Sequence, residues 1–307
     1  MSSHPVTQTW SGHLRHHARA HGKHLIGLTV AAVGLVWLWS MALSNPSEQG
    51  SRIVLLALLG GSAGFVSTAL GAVPALVMSN IKARTEDIML GTAAGMMLAA
   101  ACFSLILPGL EAGATLTGSS LQGAALVVVG MSAGVLLMLG LDAFTPHEHF
   151  KTGPCGPGHE RCAKVWLFVF AIALHNLPEG MAVGFGFSQG DINVGLPLAL
   201  AISLQNLPEG LAVAVSLRAI GIKPLRALLI TAATGLLEPV GALIGVSLVG
   251  GSTLTYPIGL GLAAGAMLFV VSHEVIPETH RNNHQTPATI GLMVGFAVMM
   301  VLDSTLG

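Results

Sequence analysis

Charge is what this sequence has least of. Only 9% of its 307 residues are Asp, Glu, Lys or Arg, against about 25% in soluble domains. That shortage excludes an ordinary water-soluble globule. The formal net charge of -1 is silent on partners, and no basic surface marks a nucleic-acid binder. Cysteine is scarce as well: Cys102, Cys155 and Cys162 cannot all pair, which excludes a disulfide framework as the basis of the fold. What is abundant is apolar, 52% of the chain with 39 glycines. The composition describes an all-α polytopic protein integral to an inner or plasma membrane, with the lipid bilayer as its first partner.

Crossing a bilayer takes about 20 apolar residues, and nine stretches qualify: 25–44, 53–79, 88–110, 121–144, 165–188, 193–217, 227–249, 255–278 and 286–306. Small residues four apart recur in them, at Gly91/Gly95, Gly130/Gly134, Gly180/Gly184, Gly241/Gly245, Gly261/Gly265 and Gly291/Gly295. Such spacing lets helix backbones approach closely in lipid. It points to a tight bundle and to no particular interface. The span at 53–79 has Pro74 and no ionisable group, and reads as scaffold.

With nine spans, 12 of the 13 Lys and Arg residues fall in segments on one side and Arg52 alone on the other. By the positive-inside rule the N-terminus is cytoplasmic and the C-terminus outside. Residues 1–24 carry His4, His13, His16, His17, His21 and His24, a His-rich cytoplasmic tail. Residues 25–44 form an extra N-terminal transmembrane helix, and 53–307 the main eight-helix domain. Ala42-Leu43-Ser44 also resembles a signal-peptide cleavage site, whose use would remove the first span and leave the side of every later loop unchanged.

One hexapeptide and its echo organise the rest: His175-Asn176-Leu177-Pro178-Glu179-Gly180 and Gln205-Asn206-Leu207-Pro208-Glu209-Gly210, starting 30 residues apart. His175 lies 11 residues from Lys164, Glu238 lies 12 from Arg226, and Glu209 lies nine from Arg218. At about 1.5 Å per residue these are roughly 14–18 Å, half of a ~30 Å hydrocarbon core. His175/Glu179 and Gln205/Glu209 are i, i+4 pairs sharing a helix face, with Asn176 and Asn206 on the adjacent one. Pro178 and Pro208 would release the carbonyls of Leu174 and Leu204, so a kink is expected at each.

No Lys or Arg lies at that depth. An ionised side chain at a helix centre costs about 2.5–3.5 kcal/mol on insertion scales, so three glutamates without partners would cost on the order of 8–10 kcal/mol. Protonation with interhelical hydrogen bonding is one resolution, and bound cations are the other. A histidine, three carboxylates and three amides without a thiol form a nitrogen and oxygen set suited to first-row divalent ions. The duplication and the matched depth favour the cation.

The paired motif resembles the fourth- and fifth-helix signatures of the ZIP (Zrt-/Irt-like) divalent metal transporters, particularly their bacterial GufA-like branch. The resemblance covers residues 53–307. It implies a homodimer that brings zinc, or cadmium, iron or manganese, into the cytoplasm as the metal-bearing bundle slides or rocks against a scaffold. No organic cofactor is implied. Carried over by position, one metal takes His175, Glu179, Gln205 and Glu209. A second takes Asn176, Asn206 and Glu238, with Glu179 and Glu209 shared. Some relatives have an acid at Asn206 and histidine at Gln205, so this chain brings fewer formal charges. On the same picture Met97, Ser104 and Glu111 line the outer approach. His273, Glu274, and the His147 and His149 of the cytoplasmic loop 145–163 line the way out.

Further absences bear on the alternative, an intramembrane metal-dependent hydrolase or di-metal oxidase. His273-Glu274 begins an H-E-x-x-H pattern, but Pro277 stands where the second histidine is required. No serine or cysteine nucleophile stands in a recognisable arrangement. The loop lacks a C-x2-C pair for a closed zinc site, and no soluble output domain supports a sensor.

Overall fold

The computed structural model describes residues 48–78, 82–144, 160–249, 253–280 and 283–306. The His-rich tail, the 25–44 span, and loop positions His147 and His149 lie outside the described residues. Within them the chain is helical throughout, with eight helices long and apolar enough to cross a membrane. We number the elements α1 (Glu48–Ala72), α2 (Ala83–Ala100), α3 (Leu107–Thr117), α4 (Ser120–Phe144), α5 (Glu160–Phe187), α6 (Ile192–Ala219), α7 (Pro224–Gly235), α8 (Leu237–Val249), α9 (Thr255–Val270), α10 (Ile276–Thr279) and α11 (Gln285–Leu306). Spans two, six and seven are each built from more than one element. Span two, Ala83–Thr117, is longer at both ends than the 88–110 read from hydropathy.

Two of the composite spans contain a π-helical stretch, Ala101–Ile106 between α2 and α3 and Val271–Val275 between α9 and α10. Leu107 N–H donates to the Cys102 carbonyl and Ile276 N–H to that of Val271, each one residue further back than in an α-helix. A proline stands two residues beyond the end of each stretch, Pro108 and Pro277. Because proline has no N–H and crowds the carbonyl four residues earlier, the wider register ahead of it relieves that crowding. Ser104 sits on the first π stretch, His273 and Glu274 on the second.

Pro178 and Pro208 each lie inside one helical element, α5 over Glu160–Phe187 and α6 over Ile192–Ala219. An interruption of the helix falls in span six. There α7 ends at Gly235, Leu236 N–H turns back to the Ala233 carbonyl, and α8 restarts at Leu237 with Glu238 in its first turn.

Glycine sets the helix pairing, and the six small-residue pairs resolve into three interfaces. A Cβ at Gly180 or Gly184 of α5 would strike the carbonyls of Glu238 and Ala242 on α8, and one at Gly241 or Gly245 would strike those of Leu177 and Met181. Gly91 and Gly95 of α2 meet Ala288 and Leu292 of α11, whose Gly291 and Gly295 meet Ile88 and Thr92 in return. Gly130 and Gly134 of α4 and Gly261 and Gly265 of α9 face each other in the same reciprocal way. A fourth contact joins α1 to α6, with Gly71 against the Leu207 carbonyl and Gly210 against that of Thr68. Gly61 meets the backbone of Pro239, and Gly113 that of Gly123. Where backbones touch this closely, each helix gains dispersion contacts that lipid tails would not supply.

Replacing Gly180 by valine forces α5 off the Glu238 carbonyl, and overpacking of this kind costs about 1–3 kcal/mol or more. The expected outcome is a lowered melting temperature and loss of the monodisperse peak in detergent. Gly140→Ala is the control, since a Cβ at Gly140 meets nothing within 4 Å; its melting curve should overlay the parent's.

Candidate metal centre

The two hexapeptides and Glu238 converge. His175, Asn176, Glu179, Gln205, Asn206, Glu209 and Glu238 come from α5, α6 and α8, and none is more than 1% exposed. The helical repeat explains how. Positions four apart stack on the same face, so α5 turns His175 and Glu179 inward together and α6 does the same with Gln205 and Glu209. The Gly180 and Gly241 contacts then draw α8 against α5 and place Glu238 beside them.

His175, Glu179 and Glu209 each present a ligand atom, and these atoms lie within 4.8 Å of one another. Zinc ligands stand ~2.0–2.2 Å from the ion, which puts tetrahedral neighbours roughly 3.4 Å apart. Side-chain adjustments of about 1 Å would close the group on a cation. His175 Nε2 lies 3.1 Å from Glu179 Oε1, and Gln205 Nε2 donates to the same oxygen. The other polar atoms have no hydrogen-bond partner: Glu179 Oε2, both oxygens of Glu209, Gln205 Oε1, Asn206 Oδ1 and both polar atoms of Asn176. Buried polar atoms left unpaired cost about 1–3 kcal/mol each, and a native core leaves very few so. Several meeting at one point, nearly all lone-pair oxygens, describe a cavity short of positive charge. A divalent cation would supply it.

Glu238 is differently placed. Thr68 Oγ1 donates to its Oε1 at 3.0 Å and Asn206 Nδ2 to its Oε2 at 2.9 Å. Its carboxylate fills the notch left by Gly64, where a Cβ would collide with Oε2. Span one, read from sequence as scaffold, thus reaches the site through Thr68 and Gly64. A buried hydroxyl near the middle of an apolar span was the available signal.

The outlying positions separate into buried and exposed. On the expected outer approach Met97 is buried in the core, Ser104 is buried and donates to the Asp303 carboxylate, and Glu111 is exposed. On the expected inner side His273 is exposed and stacks on Phe269 with ring centroids 5.0 Å apart, and Glu274 is half-buried. Three polar contacts absent from the sequence reading lie at helix ends, two joining different helices and one capping its own. Buried Asp87 meets His284 Nδ1 at 2.8 Å, Ser216 donates to Glu86, and Asp191 caps α6 by accepting from Asn193 N–H at 2.8 Å.

Comparison with known proteins identifies the family. The family described as ZIP Zinc transporter matches residues 143–303, which include every residue of the buried cluster on α5, α6 and α8. The chain is 58% identical over 294 residues to Zinc transporter ZIPB of Bordetella bronchiseptica, covering 95% of both. It is 41% identical to Zinc transporter GufA of Myxococcus xanthus over 254 residues, 83% of this chain and 98% of that one. Human Zinc transporter ZIP11 is 29% identical over 340 residues, 84% of this chain and 99% of the relative. These relatives are transporters and not enzymes, as the failed H-E-x-x-H pattern already suggested. An all-α membrane bundle with its duplicated motif folded into one buried cluster, this chain belongs to the ZIP family of zinc transporters.

Proposed function

We propose that the protein carries zinc across its membrane by binding it between His175, Glu179 and Glu209, with Gln205 as the fourth ligand. The observation that carries this reading is the set of fully buried, unpartnered oxygens within ligand distance of a histidine. One imidazole nitrogen, two carboxylates and one amide oxygen make the four-coordinate shell that zinc prefers. Cadmium, iron and manganese accept the same donor types. An amide ligand leaves without a proton, which suits a site that must let its ion go.

The loop charges put the segments rich in Lys and Arg on the cytoplasmic side, and import, the direction the ZIP resemblance implies, carries zinc toward them. Met97 and Ser104 lie on the outer approach and are buried, Ser104 donating to the half-buried Asp303, while His273 on the cytoplasmic side is exposed. That asymmetry supports an alternating-access cycle in which the outer path is shut when the inner one is open. His273 and Glu274 would then receive the ion on its way out, followed by the His147 and His149 loop.

Proteoliposome uptake of radiolabelled zinc tests the site. Glu179→Ala and Glu209→Ala each remove a charged ligand, and uptake should fall by more than the ~10–100-fold typical of losing an outer partner of a metal ligand. Accumulation equal to the parent in both variants would refute the site. A binding titration separates the ligands further. His175→Ala should weaken zinc binding more than Glu238→Ala, because Glu238 already has both oxygens engaged by the protein. The reverse order would place the primary ion at Glu238.

A further inference from the structure

Of the three buried glutamates, Glu238 alone has a neutral donor on each oxygen, Thr68 on one and Asn206 on the other. It stands outside the group of mutually close ligand atoms formed by His175, Glu179 and Glu209. Its carboxylate points into the Gly64 notch, toward α1. Three separate features of the chain therefore draw it the same way: a missing Cβ, a hydroxyl and an amide. Thr68 itself is 1% exposed, so no water competes for its proton.

The hydroxyl has a second acceptor within reach. Thr68 Oγ1 lies 3.0 Å from Glu238 Oε1 and 3.2 Å from the Gly64 carbonyl. One hydroxyl carries one proton, so it serves the carboxylate or the carbonyl in turn. When Glu238 swings away, the proton rotates to the Gly64 carbonyl, a common resting place for a helical threonine. No buried donor is then stranded on α1. A valine of the same shape would hold nothing, and a lysine would neutralise Glu238 permanently.

We propose that Thr68 is a positioning residue of the transport site: with the Asn206 amide it holds Glu238 back against α1, so that a second cation finds no free third carboxylate until both bonds are released. The inference rests on the reading of His175, Glu179 and Glu209 as the zinc site and extends it to how many ions that site takes. The first ion binds without Glu238. A second must outbid Thr68 and Asn206 for it.

The test is a zinc titration of the purified full chain in detergent, read as the affinities of the first and second ions. Thr68→Val removes the hydroxyl and keeps the shape. It should leave the first ion's affinity near the parent's and tighten the second on the order of tenfold, the scale of one hydrogen bond to a charged acceptor. Thr68→Ser keeps the hydroxyl and should restore the parental ratio between the two, which a purely structural role for the threonine methyl would not. If valine fails to give folded protein, Thr68→Ala removes the same hydroxyl in a smaller volume. Second-ion affinity unchanged in a folded Thr68→Val or Thr68→Ala protein overturns the proposal. Weaker second-ion binding also overturns it, since Thr68 would then be presenting Glu238 to the metal. Glu179→Ala in the same titration keeps the two readings apart. If it binds the first ion like the parent, the site itself is wrong; if it loses that ion while Thr68→Val is unchanged, only the role of Thr68 falls.

Discussion

Desolvation of carboxylate is the constraint around which the bundle is arranged. Glu179, Glu209 and Glu238 sit where water does not reach, on spans with no Lys or Arg at their depth. Leaving a carboxylate ionised there is tolerable only if something supplies opposing charge or hydrogen bonds. The protein answers in two different ways within a few ångströms. Glu238 is given a hydroxyl and an amide. Glu179 shares one oxygen with His175 and Gln205, and Glu209 is given nothing from the protein. An acceptor kept short of donors inside an apolar bundle is a standing attraction for a cation, and its strength comes from the same low dielectric that makes it costly.

The composition at the site tempers that attraction. Had Gln205 been histidine and Asn206 an acid, the cluster would carry more formal charge and attract a cation more strongly. Neutral amides lower the binding energy without removing ligands. Transport needs an ion bound well enough to enter and weakly enough to leave. The amides also spend their N–H groups on neighbouring carboxylates while their carbonyl oxygens stay open. A single side chain thus steadies one glutamate and offers a ligand of its own.

Much of this was legible in the sequence because it depends on local rules. Eight spans followed from apolar length, and the common depth of His175, Glu209 and Glu238 followed from counting residues to the nearest basic anchor. What was not legible depends on which helix faces which. The glycine pairs announced close contacts, but nothing in a single chain says that Gly180 answers Gly241 and not Gly261. Thr68 was missed for the same reason: one hydroxyl among several in an apolar span is ordinary until a carboxylate from 170 residues away is set beside it. The prolines are only part of the account of the backbone. Pro178 and Pro208 lie inside helices whose residues are helical on both sides of them. The break came at Leu236, where Gly235 and Pro239 flank Glu238 and neither lies inside the repeated motif.

The backbone contacts of the glycines have a mechanical consequence. Through them α5 is joined to α8, α8 to α1 by Gly61, and α1 to α6. Through them also α2 is joined to α11, α4 to α9, and α3 to α4 by Gly113. The spans thereby sort into two glycine-joined groups of four, one holding the buried polar cluster and the other holding both π stretches. Between the two groups the contacts described here are made by side chains, the Phe185 ring against Gly259 and Ser216 against Glu86. A main-chain contact resists sliding because it cannot rotate out of the way, whereas a ring or a hydroxyl can. A plane between the two groups of spans passes beside the buried cluster and not through it, so a displacement along that plane would leave the cluster's side chains in their mutual arrangement.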